Sequence, residues 1–539
     1  MGKLKLVLGT AAVVAVVAAP AAFAASAVDV QANNPQVAGD ASSNTTAVFP
    51  TNKQNEPSIA VNPTNANFLV AGANDEQLEP PCGPGPVRGA DAPANDCSFF
   101  PDVTTSGVYT SANGGTSWTN RGVLPGFAED GGNLVSDGDP RLAYGPNPGA
   151  DGNFNDERNT DSFVNGTRVY YASLASYASG QSPGNQAPEL LTVSTSDDNG
   201  VSWRDPVVGA MGNGFKFNDH EDVTADKSPT SPFFGRVYLS WTLFRGSVFT
   251  FFAEPIVTAY SDDGGRTWTK PNQITAAHNN GIGGRQASTV RTAPNGDVYI
   301  AWLDTDPKLG DVQEIAVSKN GGVTWSKPMV VAQYTPVTDP IPGANFRTGS
   351  DPSLAIAPDG TVYVAFSDAG TIKVYRSTNG GATWANPFRS PAGDGYAFFQ
   401  GLDVAPNGRV DVAYQALKAV DTTTYGTKNA TIDSYYATST NGTSWSATTK
   451  VSSASSDPAA SAQNNLERQF WGDYNTLVSS NTNAWFIYTD SRSGVGCPAV
   501  DAYQHSIDAS GPSAPKPAPQ TSCGSQYGNS DVFVSRITP

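Results

Sequence analysis

The stretch Ser261–Trp268 reads SDDGGRTW, directly after the apolar run IVTAY. It recurs as SANGGTSW at Ser111–Trp118, SDDNGVSW at Ser196–Trp203, SKNGGVTW at Ser318–Trp325 and STNGGATW at Ser377–Trp384, with a shortened STNGTSW ending at Trp445. A short Asp or Asn side chain accepts hydrogen bonds from backbone N–H groups just downstream, and Gly supplies the positive φ of a tight turn. Asn113, Asp198, Asp263, Asn320 and Asn379 take the first role, and Gly265, Gly322 and Gly381 the second. The closing Trp brings a large ring to bury between sheets. Asn replaces Asp in three of the five full copies. An amide cannot perform carboxylate acid–base chemistry, so the octapeptide reads as a turn rather than a catalytic site.

The repeat sets the architecture. Trp268, Trp325, Trp384 and Trp445 are spaced 57, 59 and 61 residues apart, the period of a repeated supersecondary unit. Ahead of each octapeptide stands an apolar run, a turn and a second apolar run, as in STVRTAPNGDVYIAWLD, SLAIAPDGTVYVAFSD and LDVAPNGRVDVAYQA. These read as hairpins, and EIAVS or IKVYRS supplies a third strand leading into the octapeptide. Each unit is thus a four-stranded antiparallel meander. DYNTLVSS, AWFIYTDSR and DVFVSRIT form a seventh copy of three strands, and TTAVFPT, Thr45–Thr51, is the expected fourth. The fold class is all-β, a β-propeller of seven four-stranded blades, with six blades plus an appendage as the alternative.

The pattern Ser-x-Asp-x-Gly-x-Thr-Trp resembles the Asp box, or bacterial neuraminidase repeat, and the chain is similar to the sialidase-like propeller superfamily over nearly its whole length. That resemblance implies a secreted glycoside hydrolase of exo-α-sialidase type acting on extracellular glycans. The superfamily's other members imply the alternatives: a polysaccharide lyase on acidic glycans, or a non-catalytic extracellular propeller that binds glycan or protein.

The first residues, MGKLKLVLGTAAVVAVVAAPAAFAASA, place two lysines before an apolar run that ends in Ala22-Phe23-Ala24 and again in Ala25-Ser26-Ala27. This is the pattern of an export leader cleaved after Ala24 or Ala27; Pro20 and the many alanines disfavour a retained anchor. The expected organisation is a leader at 1–27, a flexible segment at 28–44 and one propeller domain at 45–539, secreted and monomeric. A formal net charge of -17 disfavours nucleic acid and anionic membrane surfaces as partners. Export permits disulfides, and the four cysteines couple locally as Cys82 with Cys97 and Cys497 with Cys523, other pairings remaining open.

In a meander the turns between strands one and two share a face with the octapeptides, which leaves the long two-to-three insertions on the opposite rim. There, aligned first strands put Glu56 (NEPSIAV), Asp139 (GDPRLAY) and Asp351 (SDPSLAI) at one register, with Asp473 (WGDYNTL) and His220 or Glu221 (DHEDVTA) at the corresponding places. Arg141, Arg285, Arg347 and Arg468 stand near these entries. Guanidinium forks bind carboxylates bidentately, so the arginines suit a carboxylated sugar. The resemblance implies an arginine triad of Arg285, Arg347 and Arg468, with Tyr474 as nucleophile, Glu467 or Glu56 as its partner and an Asp, such as Asp351, as acid/base. The Arg-Ile-Pro signature of sialidases is absent, and NEPSIAV stands in its place. Alternatively the acids cap strand entries with the arginines as counter-ions. No cofactor is expected, although several carboxylates at one mouth also suit calcium. Three histidines, His220, His278 and His505, make a multi-histidine zinc site an unsuitable reading.

Overall fold

The computed structural model describes residues 25–35, 53–78, 103–150, 152–154, 163–181, 189–213, 215–247, 250–276, 284–464, 466–510, 514–517, 522–524 and 526–539. Thr45–Thr51, Cys82, Cys97, His278 and the leader up to Ala24 lie outside these residues.

Seven antiparallel sheets form the propeller. Blade 1 runs through Gln54–Val61, Leu69–Asp75, Ser106–Ser111 and Thr119–Val123. Blades 2 to 6 follow in the same order, their first strands being Leu134–Pro146, Lys216–Ala225, Arg285–Thr292, Ser353–Ile356 and Tyr396–Val404. Blade 7 begins at Thr476–Ser479. The seven first strands touch one another in a closed ring around a central channel. Alternating apolar residues fill the spaces between blades; Trp241, Trp302 and Trp485 are fully buried there.

The strand that closes the ring is Ser26–Gln31, which pairs antiparallel with Asp531–Thr538, Ser26 opposite Thr538 and Gln31 opposite Phe533. This corrects the domain boundaries expected from sequence: residue 27 falls inside a strand, and the segment from 28 begins as ordered sheet. The reason is Asp29. Its carboxylate accepts from Tyr488 Oη (2.8 Å), Ser535 Oγ (2.5 Å), Ser453 N (2.6 Å) and Arg492 Nη2 (3.1 Å), while Val28 faces solvent at 62% exposure. Asn33 then donates to Gln54 Oε1 (2.7 Å) and Asp531 Oδ1 (2.9 Å), tying blade 7 to blade 1.

The octapeptides are the turns from third to fourth strands, as their chemistry requires. In Ser261–Trp268 the Ser261 hydroxyl donates to Asp263 Oδ1 (2.7 Å) and accepts from Gly265 N (2.9 Å). Asp263 also accepts from Arg266 N (3.0 Å), Thr267 N (2.9 Å) and Thr267 Oγ1 (2.6 Å). Asn320 reproduces the pattern by donating from Nδ2 to Thr324 Oγ1 (2.8 Å). Gly264 and Gly265 take φ of 72° and 87°, and Gly264 O accepts from Arg168 of the preceding blade (2.9 Å). The boxes therefore also join blades.

Candidate functional site: the acidic mouth of the channel

Opposite the boxes, the first strands enter the channel through β-bulges. Pairing slips between Asn55 and Ser58, Gly138 and Arg141, Asp219 and Asp222, Gln286 and Thr289, and Phe398 and Gly401. At these slips Glu56, Asp139, His220, Ala287 and Phe399 hold positive φ of 52°, 55°, 52°, 56° and 46°. A non-glycine residue there costs about 1 kcal/mol or more, so the bulges aim side chains at the expense of backbone ease. Three of the five aimed side chains are ionisable. The register inferred from sequence thus corresponds to a shared backbone device in blades 1, 2 and 3.

Glu56 is 1% exposed. Its Oε2 accepts from Asn74 Nδ2 (2.8 Å), and Asn74 Oδ1 accepts from Asp139 N (2.7 Å), so one amide positions both acids. Burial pushes the Glu56 carboxyl well above its ordinary pKa; Asp139 and Asp473 add to this, and Arg347 opposes it. Asp473 is held by Arg347, which donates to it from Nε (2.7 Å) and from Nη2. The same Nη2 lies 3.8 Å from Glu56 Oε1. Arg347 is half exposed and stacks its guanidinium over Phe470, 4.9 Å from the ring centre. Gly472 makes the close approach of this segment possible: it has φ of 86°, and a Cβ there would meet Glu56 Cγ at 2.7 Å.

On the facing side, Asp351 has its pKa pushed up to about 6 by burial, against the pull of His220 and with Asp473 adding. Burial opposes charge on His220, yet Asp219, then Asp351, Asp473 and Asp139, raise its pKa above the ordinary value. His220 Nδ1 is buried without a hydrogen-bond partner among the described residues. The Arg141 guanidinium sits over the Tyr474 ring, 3.4 Å from its centre, and Arg141 Nε donates to Glu221 O (3.2 Å). Tyr474 is buried and donates to Pro140 O (3.2 Å), and burial raises its phenol well above the usual pKa. Arg141, Asp351, Asp473 and Tyr474 line a pocket of about 60 Å³. Arg141 and Asp222 also line the roof of a chamber of about 460 Å³ beneath it, which extends toward the turn prolines of the box face.

The expected site residues therefore divide. Glu56, Arg141, Arg347, Asp351 and Tyr474 stand together with Asp139, Asp473 and His220. The other two arginines have different partners: Arg285 Nε lies 3.3 Å from Asp304 inside blade 4 and its Nη1 donates to Ala276 O, while Arg468 Nη2 donates to Asp339 (2.5 Å) on the rim. Glu467 is exposed and its charge acts on Tyr503; the carboxylates acting on Tyr474 are Asp139, Glu56 and Glu221. Asn74, Asp219 and Gly472 are site residues that sequence reasoning passed over; the repeated bulge position was the available signal for Asp219. No group of three or more His, Cys, Asp or Glu arranged to hold a metal ion occurs among the described residues. No helix among them is long and apolar enough to cross a membrane.

A buttress fixes one wall. The insertion in blade 7 holds helix Pro498–Ser510 and the disulfide Cys497–Cys523. Gln504 of this helix accepts from Asn345 (3.3 Å) and Gln469 (3.0 Å) and donates to Gln463 Oε1 (2.9 Å). It thereby clamps the segments that carry Arg347 and Asp473.

The BNR/Asp-box repeat family matches residues 259–270. With the box geometry repeated on six of the seven blades, the last copy shortened, this decides the kind of molecule. The chain is a seven-bladed β-propeller that carries BNR/Asp-box repeats. Among solved structures it is similar to the Hadza microbial sialidase Hz136, at 16% identity over 72% of each chain with a TM-score of 0.40. A mutant α-L-arabinofuranosidase Arb93A from Fusarium graminearum aligns at 13% identity over 95% of this propeller and 97% of that chain, with a TM-score of 0.44. An ulvan lyase of polysaccharide lyase family PL25 aligns at 9% identity over 67% of this chain and 76% of that one, with a TM-score of 0.38. No curated protein matches the chain.

Proposed function

We propose that this BNR-repeat propeller is an exported glycoside hydrolase that acts on the end of an extracellular glycan at the acidic mouth. One observation carries the reading: two carboxyls of one pocket have opposed environments. Burial keeps Asp351 able to hold a proton up to about pH 6, while Asp473 accepts two hydrogen bonds from the Arg347 guanidinium. Pairs of carboxyls with diverging environments are what hydrolysis of a glycosidic bond uses, one giving a proton to the leaving oxygen and the other, as carboxylate, facing the positive charge that develops on the sugar. Asp351 is the proton donor and Asp473 the carboxylate. Tyr474 and Arg141 form the floor, because the Tyr474 hydroxyl is engaged with Pro140 O and its ring is covered. The small size of the pocket above Tyr474 and Arg141 favours a chain end over a chain interior. The half-exposed Arg347 leaves room for an anionic substituent, which keeps acidic sugars, sialic acid included, within the substrate class.

The test is turnover of a panel of methylumbelliferyl glycosides that includes a sialoside, uronides and an arabinofuranoside, followed by mass analysis of products from natural glycans. Hydrolysis that disappears in Asp351→Asn, with melting unchanged, is the expected result. Unsaturated sugar products would instead mark a lyase. Binding of glycans without any turnover would mark a lectin-like propeller, and either outcome ends the hydrolase reading.

A further inference from the structure

We propose that the export leader is removed between Ala24 and Ala25, so that the mature chain begins immediately before the strand that closes the propeller. The proposal rests on the export reading of residues 1–27 and adds to it the position of the cut. Two patterns compete in the sequence, Ala22-Phe23-Ala24 and Ala25-Ser26-Ala27. They differ in what they leave of blade 7.

Ser26 and Ala27 are sheet residues, opposite Thr538 and Ile537. Ala25 and Ala27 also pack on the cluster that includes Ala484, Phe486, Tyr488 and Ile537. Hydrolysis after Ala27 would remove two of the six paired residues of the closing strand and both alanine contacts. It would also place a new ammonium on Val28, beside Asp29, whose carboxylate already accepts four hydrogen bonds. Hydrolysis after Ala24 leaves the whole strand Ser26–Gln31 in place. In that step a leader peptidase adds water across the Ala24–Ala25 peptide bond, leaving a carboxylate on the leader and an ammonium on Ala25.

Access leads to the same choice. A peptidase draws its substrate into an extended cleft, and the Ser26-Ala27 backbone is committed to the Asp531–Thr538 strand once the ring has closed. Ala25, the first of the described residues, precedes that pairing. The seam also joins the two ends of the chain, since Asn33 bonds Asp531 across 498 residues, so it forms only when the whole chain is present. Processing at Ala24 remains compatible with a ring that has already closed.

Two measurements decide the matter. The first is the N-terminal residue of the protein recovered from the medium of an exporting host, read by intact mass: Ala25 is expected, and Val28 or a retained leader would overturn the proposal. The second needs no export. Two leaderless forms are made directly, one beginning at Ala25 and one at Val28, each behind an initiator Met that is removed or accounted for in the mass. The Val28 form should melt several degrees lower and be nicked faster by protease at the blade 7 edge. Equal melting and equal protease resistance would show that Ser26 and Ala27 add nothing to closure and would overturn the structural argument. If the Val28 form is weakened but no cut at Ala24 occurs in the exporting host, it is the processing claim that falls.

Discussion

Replacing Asp263 with Ala and with Asn separates the two readings of the octapeptide. In Asp263→Ala the carboxylate's four hydrogen bonds, from Ser261 Oγ, Arg266 N, Thr267 N and Thr267 Oγ1, are lost together. A hydrogen bond contributes about 0.5–1.5 kcal/mol net, and donors that water can reach lie at the low end. Arg266 and Thr267 are at the surface, so their N–H groups rehydrate. The expected loss is therefore about 2 kcal/mol, well short of four full bonds. In a chain this long that corresponds to a fall in melting temperature of a few degrees. Asp263→Asn should lie within about 0.5 kcal/mol of the parent, because Asn320 and Asn379 already make the same turn with Nδ2 donating to Thr324 and Thr383. Calorimetry and urea titration measure both variants, and glycoside turnover at a temperature well below melting should match the parent in each. The reasoning is refuted if Asn is as damaging as Ala, or if either variant loses turnover while keeping its stability.

Three further predictions concern the seam, the mouth and the buttress. Burial raises Asp75 to about 6, Asp403 to about 6, Asp531 to about 7 and Glu314 to about 7. A carboxyl that holds its proton more tightly when folded gives stability that is complete below about pH 4 and lost as pH rises through these values, so the urea midpoint should be higher near pH 5 than near pH 8; a midpoint that rises toward pH 8 would contradict it. Below about pH 4 the sign reverses, since Asp197, bonded to Arg168 and Arg204, is lowered to about 2. Gly472→Ala sets a Cβ 2.7 Å from Glu56 Cγ at a positive φ, which should cost about 2–3 kcal/mol and reduce turnover at least tenfold; a variant with parental kinetics would show that the close approach of Gly472 to Glu56 is not needed. Reducing Cys497–Cys523, or replacing both with Ser, should lower stability by about 1–3 kcal/mol and raise KM more than it lowers kcat, because the Gln504 clamp loosens while Asp351 stays in place; unchanged kinetics would contradict the buttress.

The fold was legible because its signal is local and repeated. An Asx turn, two glycines and a Trp need no distant partner to be read, and six near-copies fix the period. The closing strand was missed for an equally physical reason. In SAVDVQ the residue that turns inward is Asp29 and the exposed one is Val28, the reverse of an ordinary amphipathic strand, so TTAVFPT looked the better candidate. At the mouth the register of Glu56, Asp139 and Asp351 could be read from the turns, but the direction of a long side chain could not. Arg285 and Arg347 occupy similar places in sequence; one folds back onto Asp304 of its own blade and the other reaches Asp473. Asn74 carried no signal at all, being a strand residue whose role arises only when blades 1 and 2 meet.

The central claim is that the mouth carboxyls perform proton transfer, and the pH dependence of kcat/KM tests it most directly. With Asp351 as the donor, activity on the best glycoside should be level below about pH 6 and fall as pH rises past it, because the proton held there by burial is lost. Asp351→Asn should remove that limb together with at least a hundredfold of the rate. A profile that stays flat from about pH 5 to about pH 8, or a descending limb that persists unchanged in Asp351→Asn, would contradict the account.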